Sequence, residues 1–293
     1  MTVIRIAQRS CHGICEKNAL PRTNVVDTNT EELRLLRTLK LTISYDGYEY
    51  HGWQVQPGAP TVQGALAGVI EAVTGEKLLP QGSGRTDAGV HALAQVASFQ
   101  TESPIPPENF RIVLNDRLPP AIRVLRVEEA AAGFHARHSA RAKSYEYRIY
   151  RGDICPPFLV RYVTHYPYPL DERSMAEAAP LVAGQHDFTS FAAADSDRTH
   201  RLQDADSAPP RHVGNVRTIF ESRLERQGDL LVYRVRGDGF LHHMVRNLAG
   251  TFLLVGKGTL APADVRRILE LRDRSAAGPT APASGLFLVA VEY

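Results

Sequence analysis

The residues best suited to chemistry lie in a glycine-rich segment, residues 82–89, which reads Gly-Ser-Gly-Arg-Thr-Asp-Ala-Gly. Glycine permits tight turns and the close approach of another molecule. Asp87 offers a carboxylate that can act as a nucleophile or a general base, with Arg85 nearby. The spacing matches neither a dinucleotide-binding loop nor a P-loop. Spacing alone leaves open the alternative that Asp87 caps a turn.

Two further groups contain residue types that bind metals. His242 and His243 are adjacent in a predicted helix over residues 241–255, where consecutive side chains point in different directions. Cys11, His12 and Cys15 lack a further ligand at the spacing of a zinc site. We therefore expect no metal site.

Composition limits the class of protein. The 293-residue chain is 43% hydrophobic and 23% charged, which is typical of soluble globular proteins. Three cysteines are too few for a disulfide framework and typical of a reducing compartment. We see neither an apolar run of membrane-spanning length nor a signal peptide. The net charge of +2 does not by itself indicate a nucleic-acid binder. These features predict a cytoplasmic protein without membrane contact.

The elements that position the loop form two rounds. The first round contains predicted strands over residues 38–45, 91–100 and 122–127, a helix between Thr61 and Gly75, and a helix over 110–117. The second contains a strand starting near residue 144, a helix over 172–182, a hairpin over 216–226 and 230–236, helices over 241–255 and 263–271, and a strand over 286–291. Pro180 predicts that the 172–182 helix ends early or kinks.

This order lacks the regular strand–helix alternation of a parallel sheet. It predicts an α+β fold with a largely antiparallel mixed sheet and helices on one side. The two rounds predict two similar halves with a central catalytic cleft. We expect a partly disordered leader over residues 1–37, a first half over 38–138 and a second half over 139–293. The polar residues 192–210 predict an exposed insertion.

Several short motifs add to this reading of the residues. In chain order they are residues 45–47 (YDG), 52–54 (GWQ), 61–63 (TVQ), 84–92 (GRTDAGVHA), 134–137 (FHAR), 145–147 (YEY), 186–191 (HDFTSF), 216–219 (VRTI), 240–247 (FLHHMVRN) and 285–287 (GLF). Together they closely resemble the tRNA pseudouridine synthase A family, in the family's order. The leader and the 192–210 insertion depart from that pattern, which leaves substrate range open.

The resemblance implies roles for five residues. Asp87 occupies the position of the family's nucleophile, and Arg246 that of the arginine that holds and orients it. Tyr145 matches the active-site tyrosine, although the strand also contains other tyrosines. Leu286 corresponds to an apolar residue over the target base. Arg85 corresponds to an arginine linked to base flipping.

The resemblance also implies a reaction and partners. The reaction is the isomerisation of uridine to pseudouridine in the anticodon stem-loop of tRNA, at positions about 38–40. It implies no cofactor, and the family works as a homodimer. Two alternatives are an RNA-binding module that keeps the fold without the chemistry, and a hydrolase or transferase that uses an Asp nucleophile on a small substrate.

Basic residues just before Tyr145 are candidates for phosphate contacts, namely Arg137, His138, Arg141 and Lys143. Those near residue 270 are equally consistent with a solvated helix face, namely Arg266, Arg267, Arg272 and Arg274.

Overall fold

A computed structural model describes residues 36–193 and 214–293. All but the last two residues of the predicted leader lie outside these ranges, as does the predicted insertion after Ala193. The strands are β1 (Arg37–Tyr45), β2 (Gln81–Gly82), β3 (His91–Thr101), β4 (Ile122–Ala130), β5 (Ala142–Tyr150), β6 (Thr164–His165), β7 (Gly184–Asp187), β8 (Val216–Gln227), β9 (Leu230–Gly237) and β10 (Leu286–Glu292). The helices are α1 (Val62–Thr74), α2 (Pro107–Arg117), α3 (Glu172–Ala178), α4 (Met244–Gly256) and α5 (Asp264–Leu271).

Within the described residues, the strands form one mixed sheet of ten strands in the order β4-β1-β3-β10-β5-β9-β8-β7, with β2 on β3 and β6 on β5. Neighbours are antiparallel except β10 with β3 and β6 with β5. The last strand, β10, thus lies between elements of the first and second rounds. The predicted α+β class with a largely antiparallel mixed sheet is confirmed. The division into halves at residues 138 and 139 stays a prediction.

Local sequence explains where the first helix begins and ends. The Thr61 side chain accepts a hydrogen bond from the backbone N–H of Gly64, which satisfies one of the unpaired donors of the first turn of α1. Gly75 ends the helix in the left-handed conformation, at φ 77°, which costs glycine little. Both predicted ends of this helix are confirmed.

Alternating and helical apolar patterns meet in one core. Leu39, Leu41 and Ile43 alternate along β1 and are fully buried, and they belong to one cluster with the buried faces of the helices. The 172–182 segment divides as Pro180 predicts, because α3 ends at Ala178 and a 3-10 turn covers Ala179–Val182.

Among the described residues, no helix is both long and apolar enough to cross a membrane.

The predicted start of the 241–255 helix is wrong, and the difference matters for the site. The pattern predicts a helix from residue 241, but α4 begins at Met244. His243 has φ 58°, in the left-handed region that a residue with a Cβ rarely adopts, so it cannot belong to the helix.

The cap of α1 gives a stability prediction. We expect Thr61→Ala to lower the free energy of unfolding by about 1 kcal/mol, because the Gly64 N–H loses its partner. Urea unfolding at neutral pH measures this, and Thr61→Ser, which keeps the hydroxyl, is the control. A Thr61→Ala protein as stable as the Ser variant would show that the cap contributes nothing.

Candidate active site

The glycine-rich loop between β2 and β3 is fixed by a buried glutamine. The fully buried Gln95 accepts a hydrogen bond from Ser83 Oγ at 2.7 Å and donates to the carbonyl of Gly84 at 2.9 Å. Lys143 on β5 donates to the carbonyl of Ser83 at 2.5 Å. The first residues of the loop are therefore attached to β3 and β5.

Thr86, the residue before Asp87, is held from two sides. Its hydroxyl lies 2.8 Å from the Tyr45 hydroxyl, and its carbonyl accepts a hydrogen bond from the backbone N–H of Trp53 at 3.0 Å. Gly52 makes this approach possible, because a Cβ at that position would lie 2.5 Å from the Thr86 carbonyl oxygen. Its φ of 86° also favours glycine. These supporting contacts were not predicted, although residues 45–47 and 52–54 belong to the recognised motifs.

Arg246 on α4 forms an ion pair with Asp87, although the two residues are 159 positions apart in sequence. Arg246 Nη1 donates to Asp87 Oδ2 at 3.0 Å, and Nε donates to the carbonyl of Ala281 at 2.7 Å. The two side chains are mostly buried, with 14% and 20% of their surface exposed. A carboxylate with a charged donor at this distance is held in one orientation.

His242 and His243 also converge on Asp87. His242 Nε2 lies 3.5 Å from Oδ1, His243 Nε2 lies 3.4 Å from Oδ2, and the ring centroids are 3.9 Å apart. The expectation that these rings point apart is wrong, because it assumed that both residues are helical. They precede the first residue of α4, and His243 is left-handed. The three residues are close enough together to hold a metal ion, which the sequence did not indicate.

The electrostatics of the site favour neutral histidine and tyrosine beside a carboxylate. Burial lowers the pKa of His243 below its ordinary value, Asp87 opposes that shift, and His242 and Arg246 add to it. Burial, and then the charges of Tyr45 and Asp87, raise the pKa of Tyr145 far above its ordinary value. At neutral pH, Tyr145 is therefore a phenol that can donate a hydrogen bond.

The structure distinguishes Tyr145 from its neighbours on β5. Tyr145 is 8% exposed and packs edge-on against Phe240, with ring centroids 4.9 Å apart. Its hydroxyl has no hydrogen-bond partner in the part of the chain that the structure describes. The hydroxyl of Tyr147, by contrast, contacts Thr164 Oγ1 and donates to the carbonyl of Pro282.

The other two predicted site residues, Arg85 and Leu286, make different contacts. Arg85 Nε donates to Gln54 Oε1 at 3.1 Å, which places this cation against the turn after β1. Leu286 begins β10, is buried, and pairs with Tyr147 in the sheet. The roles expected of both in base flipping and base packing stay predictions.

Several of the basic residues that were candidates for phosphate contacts instead bind other groups of the protein. Lys143 holds the loop, as described above. Arg267 pairs with Asp264 at 3.0 Å, and Arg272 with Asp187 at 3.3 Å. Arg274 donates to the Gly278 carbonyl and to Asn247. Arg137 and Arg141 are exposed and stay candidates for phosphate contacts.

His91 ties the loop to three other segments. It is 1% exposed and stacks on Phe287, with ring centroids 4.8 Å apart. Its Nε2 lies 2.8 Å from the Arg161 carbonyl, so Nε2 carries a proton. Its Nδ1 accepts from the Gly47 N–H at 3.2 Å and lies 3.1 Å from Asp46 Oδ1. The neutral ring therefore uses both nitrogens, in accord with an ordering role for His91.

The fold and these contacts define an enzyme site centred on a carboxylate. A family model described as tRNA pseudouridine synthase matches residues 41–139 and 178–293. The chain is 51% identical over 258 residues to tRNA pseudouridine synthase A of Solibacter usitatus, covering 88% of this chain and 100% of that protein. It is 45% identical over 257 residues to tRNA pseudouridine synthase A of Moorella thermoacetica, covering 87% and 99%. The chain belongs to the tRNA pseudouridine synthase family.

The buried His91 gives a pH prediction. Burial lowers the pKa of His91 in the folded protein below the unfolded value of about 6.5, against the opposing effect of Asp46. Between these two values the unfolded chain binds more protons, so stability falls as pH decreases from about 6.5.

We expect His91→Gln to be less stable than the wild type at pH 7.5 and to show a shallower loss of stability on acidification. Urea unfolding from pH 7.5 to 5.5 measures both slopes. His243 shifts in the same direction but is present in both proteins, so the difference in slope reports His91. Parallel slopes would contradict the assignment.

Proposed function

We propose that this protein isomerises uridine to pseudouridine in the anticodon stem-loop of tRNA, at positions about 38–40, with Asp87 as the nucleophile. The observation that carries the proposal is the carboxylate of Asp87 held at 3.0 Å by Arg246 within the GRTDAGVHA loop. Membership of the tRNA pseudouridine synthase family supplies the reaction class.

The reaction requires a bond at C1′ to break and another to form. The N1–C1′ glycosidic bond breaks, the uracil turns, C5 bonds to C1′, and the C5 proton is lost while N1 gains one. Asp87 attacks either C6 of the base or C1′ of the ribose, and either route needs an ionised carboxylate. Arg246 Nη1, 3.0 Å from Asp87 Oδ2, places a guanidinium beside the carboxylate and orients it.

Tyr145 and Arg85 are proposed to act on the target nucleotide. The Tyr145 ring is available to stack on the uracil, and its hydroxyl is available for a hydrogen bond to it. As a phenol with a raised pKa, it is suited to donating rather than to removing a proton unaided. Arg85 lies against the turn after β1 at Gln54, and we propose that this planar cation occupies the space left by an extruded base. Leu286 is proposed to pack over that base.

We also propose a cytoplasmic homodimer in which one tRNA contacts both subunits. Ile154 and Phe158 support a protein contact, because they are 84% and 87% exposed on one short segment. Sedimentation of the purified protein tests the dimer.

The tritium-release assay tests the proposed function. tRNA labelled with tritium at C5 of uridine should release tritium to water, because C5 loses its proton. We expect Asp87→Asn to lower release by more than about a thousandfold while tRNA binding persists. Binding without release from any tRNA would indicate an RNA-binding module, and full turnover by Asp87→Asn would remove Asp87 from the nucleophile role.

The Arg246 contact gives a second activity prediction. Arg246→Lys keeps the charge but loses the fork that contacts both Asp87 and the Ala281 carbonyl. We expect kcat/KM to fall by about 10- to 100-fold, because a hydrogen bond to a charged group contributes ~1.5–3 kcal/mol. Arg173→Lys is the matched control, because the Arg173 side chain is 90% exposed and pairs with Glu177 on α3. Equal activity of the two variants would contradict the assigned role of Arg246.

A further inference from the structure

We propose that His242 is a positioning residue that donates a hydrogen bond from Nε2 to Oδ1 of Asp87 and so aims the carboxylate at the target nucleotide. This inference rests on the proposed function for its catalytic consequence, but the hydrogen bond itself is a property of the protein alone.

The two oxygens of Asp87 have different partners. Oδ2 accepts from Arg246 at 3.0 Å and has His243 Nε2 at 3.4 Å. His242 Nε2, at 3.5 Å, is the group that faces Oδ1. Contacts at Oδ2 alone leave the carboxylate able to rotate about its Cβ–Cγ bond. A donor at Oδ1 restricts that rotation.

The protonation of His242 follows from its other nitrogen. Nδ1 is buried and has no hydrogen-bond partner in the described ranges 36–193 and 214–293. Nε2, by contrast, faces an oxygen of Asp87, which accepts a hydrogen bond from a protonated ring nitrogen but opposes a bare lone pair. A ring proton is therefore placed on Nε2, the atom that faces Asp87.

The backbone conformation at His243 indicates that the fold enforces the position of the two histidine rings. Only His243 and Arg272 combine a side chain with positive φ among the described residues. A left-handed residue with a Cβ is strained and persists where the surroundings enforce it, which is frequent at functional sites. Here the turn at His243 brings the two ring centroids to 3.9 Å and both Nε2 atoms close to Asp87.

The 3.5 Å separation fits a contact completed by substrate. Catalytic hydrogen bonds are often long before substrate binds and shorten in the complex. Loss of this donor should therefore lower kcat and leave KM for tRNA nearly unchanged, because the residue acts through Asp87 rather than on the RNA.

Two variants separate positioning from simple packing. His242→Gln places an amide N–H near the position of Nε2, whereas His242→Asn is too short to reach it. We expect His242→Asn to lower kcat by about tenfold or more, with KM and the thermal midpoint nearly unchanged, and His242→Gln to recover most of the loss. His51→Asn, at an exposed position, is the control. An Asn variant with wild-type kcat, or a Gln variant no better than Asn, would overturn the proposal.

A second measurement does not depend on activity. Long-range ¹H–¹⁵N spectra of the histidine-labelled full-length protein report which ring nitrogen is protonated, with His242→Gln providing the assignment. We expect the proton of His242 on Nε2 at pH 7.5, and a shift of that signal in Asp87→Asn. A proton on Nδ1 would overturn the proposal even if tritium release failed and the proposed function with it.

A metal control completes the test, because Asp87, His242 and His243 also satisfy the geometry of a metal cluster. Activity should survive treatment with a chelator. Activity lost to the chelator and restored by zinc would reassign His242 as a ligand and overturn the positioning role.

Discussion

The ion pair between Asp87 and Arg246 is the contact on which the site depends. Its partners come from the loop before β3 and from α4. Strand β10 joins the first and second rounds in one sheet by pairing with both β3 and β5. A partly buried charge pair is useful only if both groups are held in place. Much of the surrounding structure does this, since Gln95, Tyr45 and Trp53 hold the loop and the Ala281 carbonyl holds the guanidinium.

The charges around the carboxylate are arranged to keep one anion and one permanent cation in contact. His243 and Tyr145 stay neutral near pH 7, because burial lowers the pKa of His243 and raises that of Tyr145. Neutral neighbours contribute hydrogen bonds without adding net charge. An ionised, oriented carboxylate is what the proposed nucleophilic role of Asp87 requires.

Local patterns predicted the elements well where the cause is local. Thr61 and Gly75 bound α1 as expected, and Pro180 ends α3, because caps and prolines act within a few residues. The parallel pairing of β10 with β3 could not be predicted, because it joins residues nearly two hundred apart in sequence. The predicted orientation of His242 and His243 was wrong, because the true orientation depends on one left-handed residue that periodicity does not reveal. Arg246 was assigned to Asp87 through resemblance alone.

The central claim is that Asp87 is the nucleophile. Fluorine at C5 cannot leave as the proton does, so an anticodon stem-loop RNA with 5-fluorouridine at a target position should halt the reaction on the enzyme. Mass spectrometry of the protein after mixing is the most direct test. The account predicts a protein–RNA adduct that maps to the peptide containing Asp87 and is absent in Asp87→Asn. An adduct at another residue, or one formed equally by Asp87→Asn, would contradict it.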